Sequence, residues 1–152
     1  PICRIVTWGE GLGGLLSLAC AVLVPGVAKC AAFNPTPADF RGSWEAGASD
    51  LAFSGVTRHF REEDPAAERL DEFFGTLGYV DAASFAALLP AGTELLCGCG
   101  LMDAAQPPLG CYAAYNRAAC VKKELATYPK FVHERINDFE DRLLAFMHFG
   151  ER

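Results

Sequence analysis

Between Glu10 and Lys29 the chain runs for 18 residues without a charge, GLGGLLSLACAVLVPGVA. A run this long and apolar has to be buried, in lipid or in protein. As an α-helix at ~1.5 Å per residue it spans about 27 Å, close to the ~30 Å hydrocarbon layer of a bilayer. Trp8 and Phe33 bracket it, at the two levels where aromatic side chains favour a membrane interface. Residues 1–33 are therefore expected to be a membrane anchor, with one transmembrane helix over about 9–29. Gly9, Gly13, Ser17 and Ala21 recur at every fourth position, and Pro25 continues the row. Small residues at that interval let a second helix backbone approach closely in lipid, so this row is read as a packing face for a neighbouring subunit.

Two other readings use the same residues. Gly26-Val27-Ala28 closes the apolar run with small residues, as a cleaved leader does. Gly9-Glu10-Gly11-Leu12-Gly13-Gly14 has the spacing G-x-G-x-x-G after a strand-like Arg4–Trp8, the setting of a dinucleotide-binding turn. Glu10 would oppose a pyrophosphate, and no β-branched run with crossover spacing follows Phe33. A nucleotide-binding enzyme is therefore the weaker alternative. Neither G-x-S-x-G nor a P-loop occurs in the sequence.

Beyond Phe33 the apolar spacing turns helical. Phe40, Trp44, Ala48, Ala52, Val56 and Phe60 follow at steps of four, and Leu70, Phe73, Phe74 and Leu77 make a second face. Val132, Ile136, Phe139, Leu143 and Phe146 alternate steps of four and three, opposite a face of acids. Residues 34–152 are expected to fold as a compact, acidic bundle of four or five helices, making the whole chain all-α. This part holds 11 basic and 18 acidic residues, a balance unsuited to a phosphate backbone, so no nucleic-acid partner is expected.

Cys97, Cys99, Cys111 and Cys120 give C-x-C-x11-C-x8-C, which fits no common zinc or iron–sulfur spacing and is read as one or two disulfides stapling a helical hairpin. His133-Glu134 begins an H-E-x-x-H pattern that Asn137 ends. No catalytic residue, metal ligand or required cofactor is assigned, and pigment or lipid contacts suit the anchor. The expected function is a non-catalytic, single-pass accessory subunit of a larger membrane complex. A photosystem-type complex of the thylakoid, with a lumenal head, comes first and the mitochondrial inner membrane second. A secreted or lumenal disulfide-containing binding module is the alternative.

Overall fold

The uncharged run is broken twice by glycine. In the computed structural model, which describes residues 4–148, it follows β1 (Ile5–Glu10), forms α1 (Leu12–Leu23) and ends in the first residues of β2 (Val27–Phe33). Gly11, at φ 56° and ψ −123°, turns the chain sharply from β1 into α1. Gly26, at φ 90°, returns it from α1 to β2. Both glycines sit at a φ that a side chain disfavours. With 12 residues, α1 is about 18 Å long at ~1.5 Å per residue. No helix among the described residues is long and apolar enough to cross a membrane, which corrects the expected transmembrane helix and the anchor built on it. Leu15, Leu18 and Ala21 of α1 are buried, whereas Leu12, Leu16 and Leu23 stay exposed. Apolar residues on both sides of a short helix gave the run its membrane-like hydropathy.

β1 and β2 are joined in one sheet by β3 (Glu94–Gly100) and β4 (Lys123–Tyr128), all parallel, in the order β1-β2-β3-β4. The fold is α/β, which corrects the expected all-α bundle. Strands covered on both faces need not alternate apolar and polar residues. Here small residues, VAKCAAF in β2 and ELLCGCG in β3, hide them from a search for β-branched runs.

Helices fill the connections. Between β2 and β3 lie α2 (Phe40–Glu45), α3 (Leu51–Glu62), α4 (Leu70–Leu77) and α5 (Ala82–Ala87); α6 (Pro108–Arg117) joins β3 to β4, and α7 (Asn137–Met147) follows β4. One sheet face, with Cys30, Ala32, Leu95, Cys97 and Cys99, packs on α1, α5 and α6. The other, with Ala31, Phe33, Leu96 and Ala126, packs on Ile136, Phe139 and Leu143 at and within α7. The alternation of neighbours between the two faces follows from the two-residue period of a strand. A third core of Phe40, Phe53, Val56, Phe60 and Phe74 lies wholly within α2, α3 and α4.

Candidate active site

Parallel strands bring their carboxyl ends to one rim, and ligand-handling groups collect there. Glu10, Phe33, Gly100 and Tyr128 mark that rim, and the loops leaving it carry the site. At the end of β1 the chain passes straight into α1 through Gly11. The strand and helix nearly touch: a Cβ on Gly9 would lie 2.2 Å from the Gly13 backbone. Gly11 N–H donates to Phe33 O at 3.0 Å, and Gly11 O accepts from Thr36 N at 3.1 Å. The turn is thus clamped to the loop that leaves β2.

After β3, Asp103 is fully enclosed and both its oxygens are used. Oδ1 accepts from the backbone N–H groups of Ala105 at 3.0 Å and Gln106 at 2.9 Å. Oδ2 accepts from Asn34 Nδ2 at 3.2 Å and from His133 Nδ1 at 2.8 Å. The loop after β4 brings His133 to it. Met102 N–H donates to Phe131 O at 2.9 Å, and the bare Cα of Gly100 lets that loop lie close, since a Cβ there would meet Phe131 O and Val132 O at 2.6 Å. The Asp103 side chain is 0% exposed and that of His133 40%, so the imidazole can meet a substrate and the carboxylate cannot. Arg135, two residues on, is held by Glu140, whose hydrogen bond and charge raise its guanidinium above the ordinary value; the charge of Glu10 acts in the same direction.

Gln106 completes the cluster. Its Nε2 donates to Asp50 Oδ2 at 3.2 Å, and Asp50 also caps α3 by accepting from Ala52 N and Phe53 N. Gln106 Oε1 and Asn34 Oδ1 are buried with no hydrogen-bond partner among the described residues. Both residues line a cavity of about 10 Å³, the size of one water.

A strand, a tight turn at strained φ/ψ and a helix form the nucleophile elbow of hydrolases, followed along the chain by an acid and then a histidine. Gly11, Asp103 and His133 keep that order; Asp103 and His133 are hydrogen-bonded to each other, and Gln106, which donates to Asp103, lies beside Gly11. The apex, where a nucleophile stands, is glycine. Residues 2–149 match the family described as acetyl xylan esterase (AXE1). The chain belongs to the acetyl xylan esterase family. Acetyl xylan esterase 1 from Thermoanaerobacterium sp. is 36% identical over 95% of this chain and 45% of its own, with a TM-score of 0.88. Acetyl xylan esterase from Paenibacillus sp. is 30% identical over 93% of this chain and 44% of its own, with a TM-score of 0.86. The chain thus spans less than half the length of either. A monoacylglycerol lipase from Paleococcus ferrophilus, 14% identical over 93% of this chain and 67% of its own, shares the fold at a TM-score of 0.61.

Membership in the acetyl xylan esterase family corrects the expected non-catalytic accessory subunit: its relatives are named as enzymes. The photosystem-type partners, the lipid bilayer, and the thylakoid and mitochondrial inner-membrane locations fall with it, since they rested on a transmembrane helix that is not formed. The residues singled out from the sequence have other positions. Gly9 and Gly13 face each other across the elbow. Ser17 Oγ donates to Ala31 O at 2.8 Å and fastens α1 to β2, and Ala21 is buried in the core. Cys97, Cys99, Cys111 and Cys120 are all unbridged, and Cys3 lies outside the described residues. Hydrogen bonds to Cys97 and Cys99, with burial, push the Cys111 thiol well above its ordinary value. Sequence reasoning missed Asp103, Gln106 and the role of His133. The usable signal was the glycine spacing around position 11 between a strand and a helix, followed by an acid and a histidine in that order.

Proposed function

We propose that the chain carries the acid–base machinery of an ester hydrolase that removes acetyl groups from carbohydrate. The observation that carries this reading is the 2.8 Å contact between Asp103 and His133 on the rim that holds the elbow. With Nδ1–H donating to Asp103, the basic lone pair of the imidazole is on Nε2. Nε2 takes a proton from the attacking oxygen and returns it to the departing sugar oxygen, while Asp103 steadies the imidazolium formed in between. Leu12 follows the elbow and opens α1. In this arrangement its N–H takes up the negative charge that develops on the ester carbonyl oxygen. The acetyl and carbohydrate parts of the proposal are supported by the names of the family and of its two relatives.

The test is acetate release from an acetylated xylo-oligosaccharide by the full chain. His133→Ala is expected to lower the rate by about 10²–10⁴-fold, the usual worth of a positioned base. Absence of acetate release, or a rate unchanged by His133→Ala, would overturn the reading.

A further inference from the structure

We infer that β1 pairs with β1 of a second copy of this chain, antiparallel and about a twofold axis at Thr7, joining two four-stranded sheets into one. The inference does not depend on the ester-hydrolase reading above. β1 closes one side of the sheet, and no described strand lies beyond it. Such an edge is a template for a further strand. Ile5 N–H donates to Gly26 O and Gly11 N–H to Phe33 O, so the odd-numbered residues of β1 direct their backbone groups to the β2 side. The even-numbered residues Val6, Trp8 and Glu10 therefore aim theirs outward. Thr7 faces α1, donating from Oγ1 to Ser17 O at 3.1 Å. Side chains alternate along a strand, so Arg4, Val6, Trp8 and Glu10 share the opposite face. Arg4, Trp8 and Glu10 are exposed there.

This order of residues is self-complementary. Outward groups must meet outward groups, which leaves few antiparallel registers, and the one centred on Thr7 pairs the whole strand. Arg4 of each copy then faces Glu10 of the other at the two ends. Val6 of each copy faces Trp8 of the other between them. Opposite charges, and an aromatic ring against a β-branched side chain, are both favourable cross-strand pairs.

The helix layer fits the same axis. α1 packs on both β1 and β2, so it lies over the gap between them. Strands about 4.8 Å apart put that gap about 4.8 Å from the axis, and α1 and its copy about 10 Å apart, the spacing of packed helices. Ser17 stands at the level of Thr7, hence near the axis. Leu15 and Val22 turn toward the core that α1 shares with α5. At ~100° per residue Gly13, Leu16 and Cys20 lie on the other flank, which looks past β1. Leu16 is exposed, and Gly13 and Cys20 are half-buried. Leu16 of each copy closes over Cys20 of the other. The contact is the same surface on both copies, so assembly through this edge stops at two.

Sedimentation velocity of the full 152-residue chain over a range of concentrations tests this. The expected result is a monomer–dimer equilibrium. Glu10→Arg sets arginine opposite arginine and is expected to weaken the dimer at least about tenfold, and Arg4→Glu does the same with two acids. The double variant Arg4→Glu/Glu10→Arg exchanges the charges and is expected to recover the parent's dissociation constant. Leu16→Glu, at an exposed position of α1, is expected to weaken the dimer by the helix contact alone. Amide hydrogen exchange at Val6 and Trp8 is expected to slow as the dimer forms, because their outward N–H groups gain carbonyl partners. Circular dichroism melts establish that each variant folds. A chain that is monomeric at every concentration, a dimer indifferent to the single reversals, or a double variant no tighter than the singles would overturn the inference. So would a β1 edge closed by a different polypeptide bound in stoichiometric amount.

Discussion

Asp103 serves structure and chemistry with the same two oxygens. Its Oδ1 gathers two backbone donors of its own loop, and its Oδ2 orients His133 and Asn34. Exchanging the carboxylate for an amide must turn one NH₂ group toward donors. Asp103→Asn is therefore expected to cost about 1–3 kcal/mol in a thermal or denaturant melt, the price of unmatched buried donors. If the chain hydrolyses esters as proposed, Asp103→Asn is also expected to lower that rate by about 10²–10⁴-fold, since His133 loses its fixed tautomer. A melt unchanged from the parent would show that the loop does not depend on this carboxylate. Cys30 is a second residue with one environment to answer to. Burial pushes its thiol from 9.0 up to about 11, against hydrogen bonds from Ser17 and Thr7 that act the other way. The folded chain thus keeps a proton that the unfolded chain releases. Its contribution to stability is present in full below pH 9.0 and lost as the pH rises toward about 11. Across that window the slope from this group approaches about 1.4 kcal/mol per pH unit. Denaturant melts between pH 8 and 11 should show the decline, and Cys30→Ala should make it shallower.

At the level of elements, the strand–turn–helix of β1 and α1 depends on the near contact of Gly9 and Gly13. A methyl group on Gly9 would sit 2.2 Å from the Gly13 backbone, with no flexible side chain to yield. Gly9→Ala is expected to destabilise the chain by at least about 1–3 kcal/mol, the range for overpacking, and to misplace the elbow. A native melting temperature in that variant would refute the close-contact account. The same element shows what could be read from the residues alone. The strand-like Arg4–Trp8, the glycine turn and the helical run after it were all legible, and together they are the elbow. Their meaning was not, because a hydroxyl at position 11 would have completed G-x-S-x-G and Gly11 instead completed G-x-G-x-x-G. The apolar helix face of α7 was legible through Ile136, Phe139 and Leu143, because a helix packed on one side keeps its period. β2 and β3 were not. Covered on both faces and rich in Ala, Cys, Leu and Gly, they carry no alternation and one β-branched residue, Val27. Asp103 and His133 lie 30 residues apart and are brought together by the pairing of β3 with β4 and the contacts of the loops that follow, so no local spacing announces them.

Taken as a whole, the molecule joins a four-stranded sheet to a helical excursion that has an aromatic core of its own. β2 and β3 are hydrogen-bonded neighbours, yet residues 34–93 lie between them. Pairing strands across so long a connection is slow, because the entropy of closing the loop is lost before any contact repays it. The excursion eases that search. Phe40, Phe53, Val56, Phe60 and Phe74 gather from positions close in sequence, and Asp81 then accepts from the backbone N–H groups of Asp39 and Phe40 and draws the two ends of the excursion together. Formed early, these contacts would turn a long flexible connection into a short stiff one. An aromatic core built from residues close in sequence is thereby expected to shorten the loop that the sheet must close as it assembles.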